Sequence, residues 1–104
     1  FEEMVKQADL VLTGEGCTDY QTAYGKAPVG VSALARAYGV PCICLSGGLG
    51  EGCSAVREKG IDALSSTVPG PLSLEECMER GAELIEEAAE RVCRLLAVGM
   101  SLKN

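Results

Sequence analysis

The sequence contains no tryptophan and no histidine, and only one phenylalanine and three tyrosines among 104 residues. Aromatics make up 4 % against 47 % hydrophobic residues, so the core has to be assembled from Val, Leu, Ile, Ala and Cys. No stretch approaches the roughly 20 apolar residues of a membrane-spanning helix. No signal-peptide pattern opens the chain either, which makes the cytoplasm the expected address. Lys and Arg number 9 against 15 Asp and Glu, a net charge of −6 with no basic stripe, which argues against nucleic acid or an acidic membrane surface as partner. The 6 cysteines include no C-x-x-C pair and have no histidine to join them, so neither a zinc site nor a disulfide framework is expected. Cys42 and Cys44 alternate within PCICLS and would share one face of a strand, while Cys77 and Cys93 fall on the apolar side of a late helix. Packing is their expected role. The chain opens at Phe1, in a stretch (FEEMVKQ) that reads as the end of a helix, so a fragment of a longer protein is expected.

What is present has a regular rhythm. Residues 8–13 (ADLVLT) form a nearly continuous apolar run, as in a buried parallel strand, and a glycine-rich turn follows from Gly14. Pro28 can open a helix that runs to about Tyr38, with Val29, Val31, Leu34, Ala35 and Tyr38 for packing and Gly39 as its stop. VPCICLSGG (40–48) reads as a second buried strand, residues 49–60 as a loop and a short helix stopped by Gly60, and residues 61–67 as a third, weaker strand. Ser73 then opens one long helix through a capping-box pattern, S-x-x-E, ending at Glu76. Leu74, Met78, Ala82, Ile85, Ala89, Val92 and Leu96 recur there at helical spacing, widened by Cys77, Gly81, Ala88 and Leu95, while the glutamates form a solvated outer face. Alternating strands and helices predict an α/β fold: a three-layer, Rossmann-like parallel sheet with flanking helices. Three strands make a thin sheet, so the rest of it is expected in a larger or discontinuous domain or in a second subunit.

In such sheets ligands meet the carboxyl ends of the strands. Two loops arrive there, TGEGCTDYQTAYGK after the first strand and SGGLGEG after the second. Both are rich in glycine, which lets backbone N–H groups come close to an anion. Glu15, Asp19, Gln21 and Lys26 add carboxylates that could take a proton from a hydroxyl or hold Mg²⁺, and a cation for phosphate. Known nucleotide motifs fit poorly. Ala27 follows Gly25-Lys26 where a P-loop needs Ser or Thr, and Asp19 replaces the third glycine of G-x-G-x-x-G.

The string TGEG…D-x-QT…GK-x-P, carried here by Thr13 to Gly16, Asp19, Gln21-Thr22, Gly25-Lys26 and Pro28, resembles the glycerate kinase family that is distinct from P-loop kinases. The closing segment GIDALSSTVPGPLSLEECMERGAELIEEAAERVCRLL resembles it as well. The resemblance covers essentially the whole chain and implies that residues 1–104 are the C-terminal part of a much longer two-domain α/β enzyme with its active site between domains. It implies transfer of the γ-phosphoryl of ATP to D-glycerate with Mg²⁺, with glycerate and ATP as the partners. Carried over residue by residue, it makes Asp19 the candidate for contacting the glycerate hydroxyl, as base or orienter. Lys26 becomes a charge for phosphate or carboxylate, and Glu15 and Gln21 polar supports. Gly14, Gly16, Gly47 and Gly48 become close-approach backbone, with Ser46 beside them on the substrate side; no residue is assigned as a metal ligand.

The sequence departs from that pattern at Cys17, where the family usually has arginine, and the change removes a bidentate partner for an anion. Two other readings therefore stand beside the kinase: a non-catalytic anion- or nucleotide-binding module, and a truncated remnant that keeps the fold. An exposed sheet edge would also favour a homo-oligomer.

Overall fold

The computed structural model describes the backbone of residues 1–18 and 27–103, and the side chains of residues 1–15 and 30–103. Three parallel strands lie in the order β1-β2-β3: β1 is Val11–Thr18, β2 is Cys42–Leu49 and β3 is Ala63–Ser66. Helix α1 (Glu2–Gln7) precedes β1, α2 (Ala27–Ala37) connects β1 to β2, and a 3-10 helix (Cys53–Lys59) connects β2 to β3. Two further helices close the described chain, α3 (Leu74–Glu79) and α4 (Gly81–Met100). Helices cover both faces of the sheet, as the α/β reading requires. No helix among the described residues is long and apolar enough to cross a membrane.

The register explains which residues make the core. Val11 pairs with Cys42, and Thr13 with Cys44, which pairs in turn with Leu64 of β3, so these side chains share one face. There Cys42 packs with Val5 of α1, Ala35 of α2 and Val40, while Cys44 packs with Val56 of the 3-10 helix and Ile61. Both thiols are fully buried, as their alternation predicts. Burial, with Cys44 and Asp62 nearby, pushes the Cys42 thiol up to about 11, so it is no nucleophile at neutral pH. The other face carries Leu45, covered by α4, whose Leu84, Ala88 and Val92 are buried at a spacing of four residues. Burying a leucine such as Leu84 contributes about 1.5–3 kcal/mol.

Polar contacts fix how the layers dock. At the amino end of the sheet, Asp62 accepts a hydrogen bond from Cys42 N (2.8 Å) and donates its own N–H to the Cys42 carbonyl (2.8 Å), which locks β3 to β2. The buried Ser32 hydroxyl of α2 donates to the Lys59 carbonyl (2.8 Å) and so ties α2 to the 3-10 helix. The Tyr38 hydroxyl donates to the Glu2 carboxylate, and Lys6 stands 5.3 Å from the Tyr38 ring centre, so α1 is held against the end of α2. Gly39 (φ 70°) stops α2 and Gly60 (φ 100°) stops the 3-10 helix, as their positions in the sequence predict.

Three details differ from the sequence reading. β1 does not end at Thr13: it starts at Val11 and continues through Gly14 to Thr18, because the end of β2 supplies ladder partners for it, Cys17 with Gly48 and Thr18 with Leu49. The predicted long helix is two. Ser73 caps α3, accepting from Glu76 N at 3.1 Å, but Arg80 leaves helical geometry (φ −99°, ψ 14°) just before Gly81, the weakest helix former in the stretch. Its guanidinium then pairs with Glu83 at 3.1 Å, and the two shift each other, Arg80 upward and Glu83 downward. That break re-aims the apolar stripe. Leu84 is buried, whereas Leu74, Met78 and Ile85 are 77 %, 76 % and 55 % exposed, and Cys93 also faces out.

Candidate functional site at the carboxyl edge

All three strands are parallel, so their carboxyl ends gather at one edge. Gly14 to Thr18 arrive there from β1, Ser46 to Leu49 from β2, and Ser66 to Val68 from the end of β3. The face that carries Cys42 and Cys44 becomes polar at this end: Glu15, Ser46 and Ser66 pair in one row across the strands. Glu15 is half-buried, and Ser46 is fully buried with its hydroxyl donating to the Gly48 carbonyl at 2.7 Å. The Ser46 carbonyl accepts from Thr67 N at 2.8 Å, and Val68 N donates to the Ser66 hydroxyl at 3.0 Å. The glycine-containing ends of β1 and β2 and the segment after β3 are thereby held as one surface.

A groove of about 810 Å³ opens along this edge, with its floor on the face that carries Leu45. Thr13, Gly14, Glu15, Gly47, Gly48 and Thr67 form its polar wall, and Leu12, Leu45, Leu84, Ile85 and Ala89 its apolar floor and far side. A Cβ added at Gly14 would stand 3.4 Å from the Leu45 carbonyl oxygen, at the limit of ordinary contact. Of the residues singled out in the sequence, the structure therefore brings together Gly14, Glu15, Gly47 and Gly48 at the groove wall, with Gly16 in the β1 backbone and Ser46 beneath. Asp19, Gln21 and Lys26 lie outside the described residues; Thr18, which precedes Asp19, is the last residue of β1 at this edge. Sequence reasoning missed Ser66, Thr67 and Val68. Their signal was present, because SST ends an apolar strand as SGG does in β2.

Chemically, the edge offers one half-buried carboxylate, which can accept a hydrogen bond from a hydroxyl, and a glycine backbone surface with little side-chain cover that a small ligand can approach closely. Among the described residues no three His, Cys, Asp or Glu side chains cluster as a metal cage. A magnesium ion that travels with a nucleotide needs no such cage, since one or two carboxylates suffice when phosphates and water complete its shell.

Residues 1–97 match the model of the glycerate kinase family. The chain belongs to the glycerate kinase family. A glycerate kinase of Halalkalibacterium halodurans is 53 % identical over 92 residues, which are 88 % of this chain and 24 % of that protein. One of Bacillus subtilis is 42 % identical over 102 residues, 98 % of this chain and 27 % of that protein. Among solved structures, a chain described as glycerate kinase 2 from Salmonella typhimurium superimposes with a TM-score of 0.69 at 31 % identity, over 98 % of this chain and 24 % of the other. The chain thus spans about a quarter of the length of the glycerate kinases it matches.

Proposed function

We propose that this chain is the C-terminal part of an ATP-dependent D-glycerate kinase and contributes the anion-binding side of its active site. The observation that carries the reading is the meeting of Gly14-Glu15 from β1 and Gly47-Gly48 from β2 at one groove wall, within a segment matched by the family model. In the reaction, a glycerate hydroxyl oxygen forms a bond to the γ-phosphorus of ATP as the bond to the ADP oxygen breaks, and the hydroxyl proton leaves to a base. Asp19 is the residue proposed to accept that proton or to orient the hydroxyl. Lys26 neutralises phosphate or carboxylate charge, Glu15 and Gln21 are polar supports, and the four glycines bring backbone N–H groups close to the ligand. The half-buried carboxylate of Glu15 is a hard-oxygen donor that would suit Mg²⁺, which when bound would neutralise charge on the transferring group. Cys17 stands where the family usually has arginine, so Lys26 carries more of the anion's charge here. On this reading the protein works in the cytoplasm on small-molecule partners, and β1 and β3, the edge strands among the described residues, would pair with a second copy or with the rest of the kinase.

The test is a chimera in which this chain replaces the matching quarter of the Bacillus subtilis glycerate kinase. It should phosphorylate D-glycerate with Mg·ATP, and Asp19→Asn should lower turnover by about a hundredfold or more. A chimera that binds both ligands without turnover would support the non-catalytic module instead, and an Asp19→Asn chimera with undiminished turnover would remove Asp19 from the chemistry.

A further inference from the structure

We propose that Ser46 is a positioning residue that acts on the bound anion through the backbone: by holding the Gly48 carbonyl, its hydroxyl fixes the two glycine peptides against which the ligand rests. The inference rests on the proposed kinase function and assigns a part of the same site. Ser46 is completely buried, so its side chain has no surface to offer a ligand. Its hydroxyl instead donates to the carbonyl of Gly48, two residues on, at 2.7 Å. Two consecutive glycines are the worst residues from which to build a rigid surface, because each loses more backbone freedom on ordering than any other residue. Without restraint, that cost would fall on ligand binding.

Among the described residues, three restraints converge on this pair. The register sets Gly48 beside Cys17 of β1, Thr67 N donates to the Ser46 carbonyl at 2.8 Å, and the Ser46 hydroxyl closes the gap between these two anchors. The first two are backbone contacts that nearly any sequence could make. The third needs a compact side chain with a hydroxyl on Cβ, which serine and threonine alone supply. The ligand served is an oxyanion, either the carboxylate of glycerate or a phosphate of ATP.

The experiment compares the chain with Ser46→Ala and Ser46→Thr, using the carbonyl-carbon NMR signal of Gly48 and titrations with D-glycerate and with Mg·ATP in separate arms. Ser46→Ala removes the hydroxyl that holds the Gly48 carbonyl and should still fold. Its Gly48 carbonyl signal should move upfield, and affinity for one ligand should fall roughly fivefold to tenfold, the value of one hydrogen bond. The arm that weakens identifies the oxyanion. Ser46→Thr keeps the hydroxyl and should restore both readouts, which a purely packing role for Ser46 would not require. An unchanged Gly48 signal in Ser46→Ala overturns the proposal, as does a shifted signal with unchanged affinity. Lost affinity with an unmoved Gly48 signal would mean direct contact, and overturns it too. If the unmodified chain binds neither ligand, the proposed function fails for this chain and the ligand-facing role of Ser46 fails with it. The Gly48 signal would then still report whether the hydroxyl bond exists.

Discussion

Replacing Gly60 with alanine tests how the 3-10 helix is seated on α2. Gly60 has φ 100°, and a Cβ built there would lie 2.6 Å from the Ser32 carbonyl oxygen and 3.1 Å from its carbon. Both are backbone atoms of α2, so no rotamer change relieves the contact. Holding an L-residue at positive φ costs roughly 1–2 kcal/mol, and forcing a methyl into packed backbone adds roughly 1–3 kcal/mol. Alanine returns about 0.4–1 kcal/mol by restricting the unfolded chain, which leaves a net loss of about 1–4.5 kcal/mol. Gly39 provides the control, because it shares the positive φ (70°) but a Cβ added to it would meet no atom within 4 Å. Gly39→Ala should therefore cost only about 0–1.5 kcal/mol. Urea unfolding followed by circular dichroism, at equal m values, reads the difference directly as a shift in midpoint. Against a typical domain stability of about 5–15 kcal/mol, the Gly60 variant should be visibly weakened at room temperature. Equal midpoints for the two variants would refute the close approach of Gly60 to α2.

Two further outcomes follow from the core. Leu84→Ala should cost about 2–5 kcal/mol, since the side chain is 1 % exposed, whereas the neighbouring Ile85→Ala, 55 % exposed, should cost less than about 1 kcal/mol; thermal melts of the two variants separate them. Cys42 gives a pH dependence whose sign is fixed by its raised folded value. The thiol stays neutral in the fold up to about 11 while the unfolded chain ionises it near 8.5, so its contribution is intact below that point and lost as pH rises through about 9 to 11. The loss at pH 10.5 should be no more than about 2 kcal/mol, measured as the difference between the chain and Cys42→Ala in urea unfolding at pH 7.5 and pH 10.5.

Local signals in the sequence carried most of the fold. The alternation of Cys42 and Cys44, the stops at Gly39 and Gly60 and the Ser73 cap are each decided within a few residues, and each stands in the structure. The discrepancies arise where a distant partner decides. Glycines at 14 and 16 argue locally for a turn, yet they lie in a strand because β2 offers its backbone to them. The stripe through Leu74, Met78 and Ile85 is as regular as the one through Leu84, Ala88 and Val92, and only the break at Arg80 selects the second for the sheet. At the site, the two glycine-rich ends could be placed at one edge from strand order alone. The third contributor, Ser66 to Val68, was hidden by its ordinary composition, and the inward turn of the Ser46 hydroxyl depends on geometry that spacing does not encode.

The central claim is that the carboxyl edge of this sheet binds the ligands of a glycerate kinase. A thermal-shift titration of the 104-residue chain with D-glycerate, with Mg·ATP and with both together tests it most directly. A dose-dependent rise in melting temperature with at least one ligand is predicted, because a ligand that binds only the folded state stabilises it by mass action. A melting temperature that stays constant in all three titrations would contradict the claim.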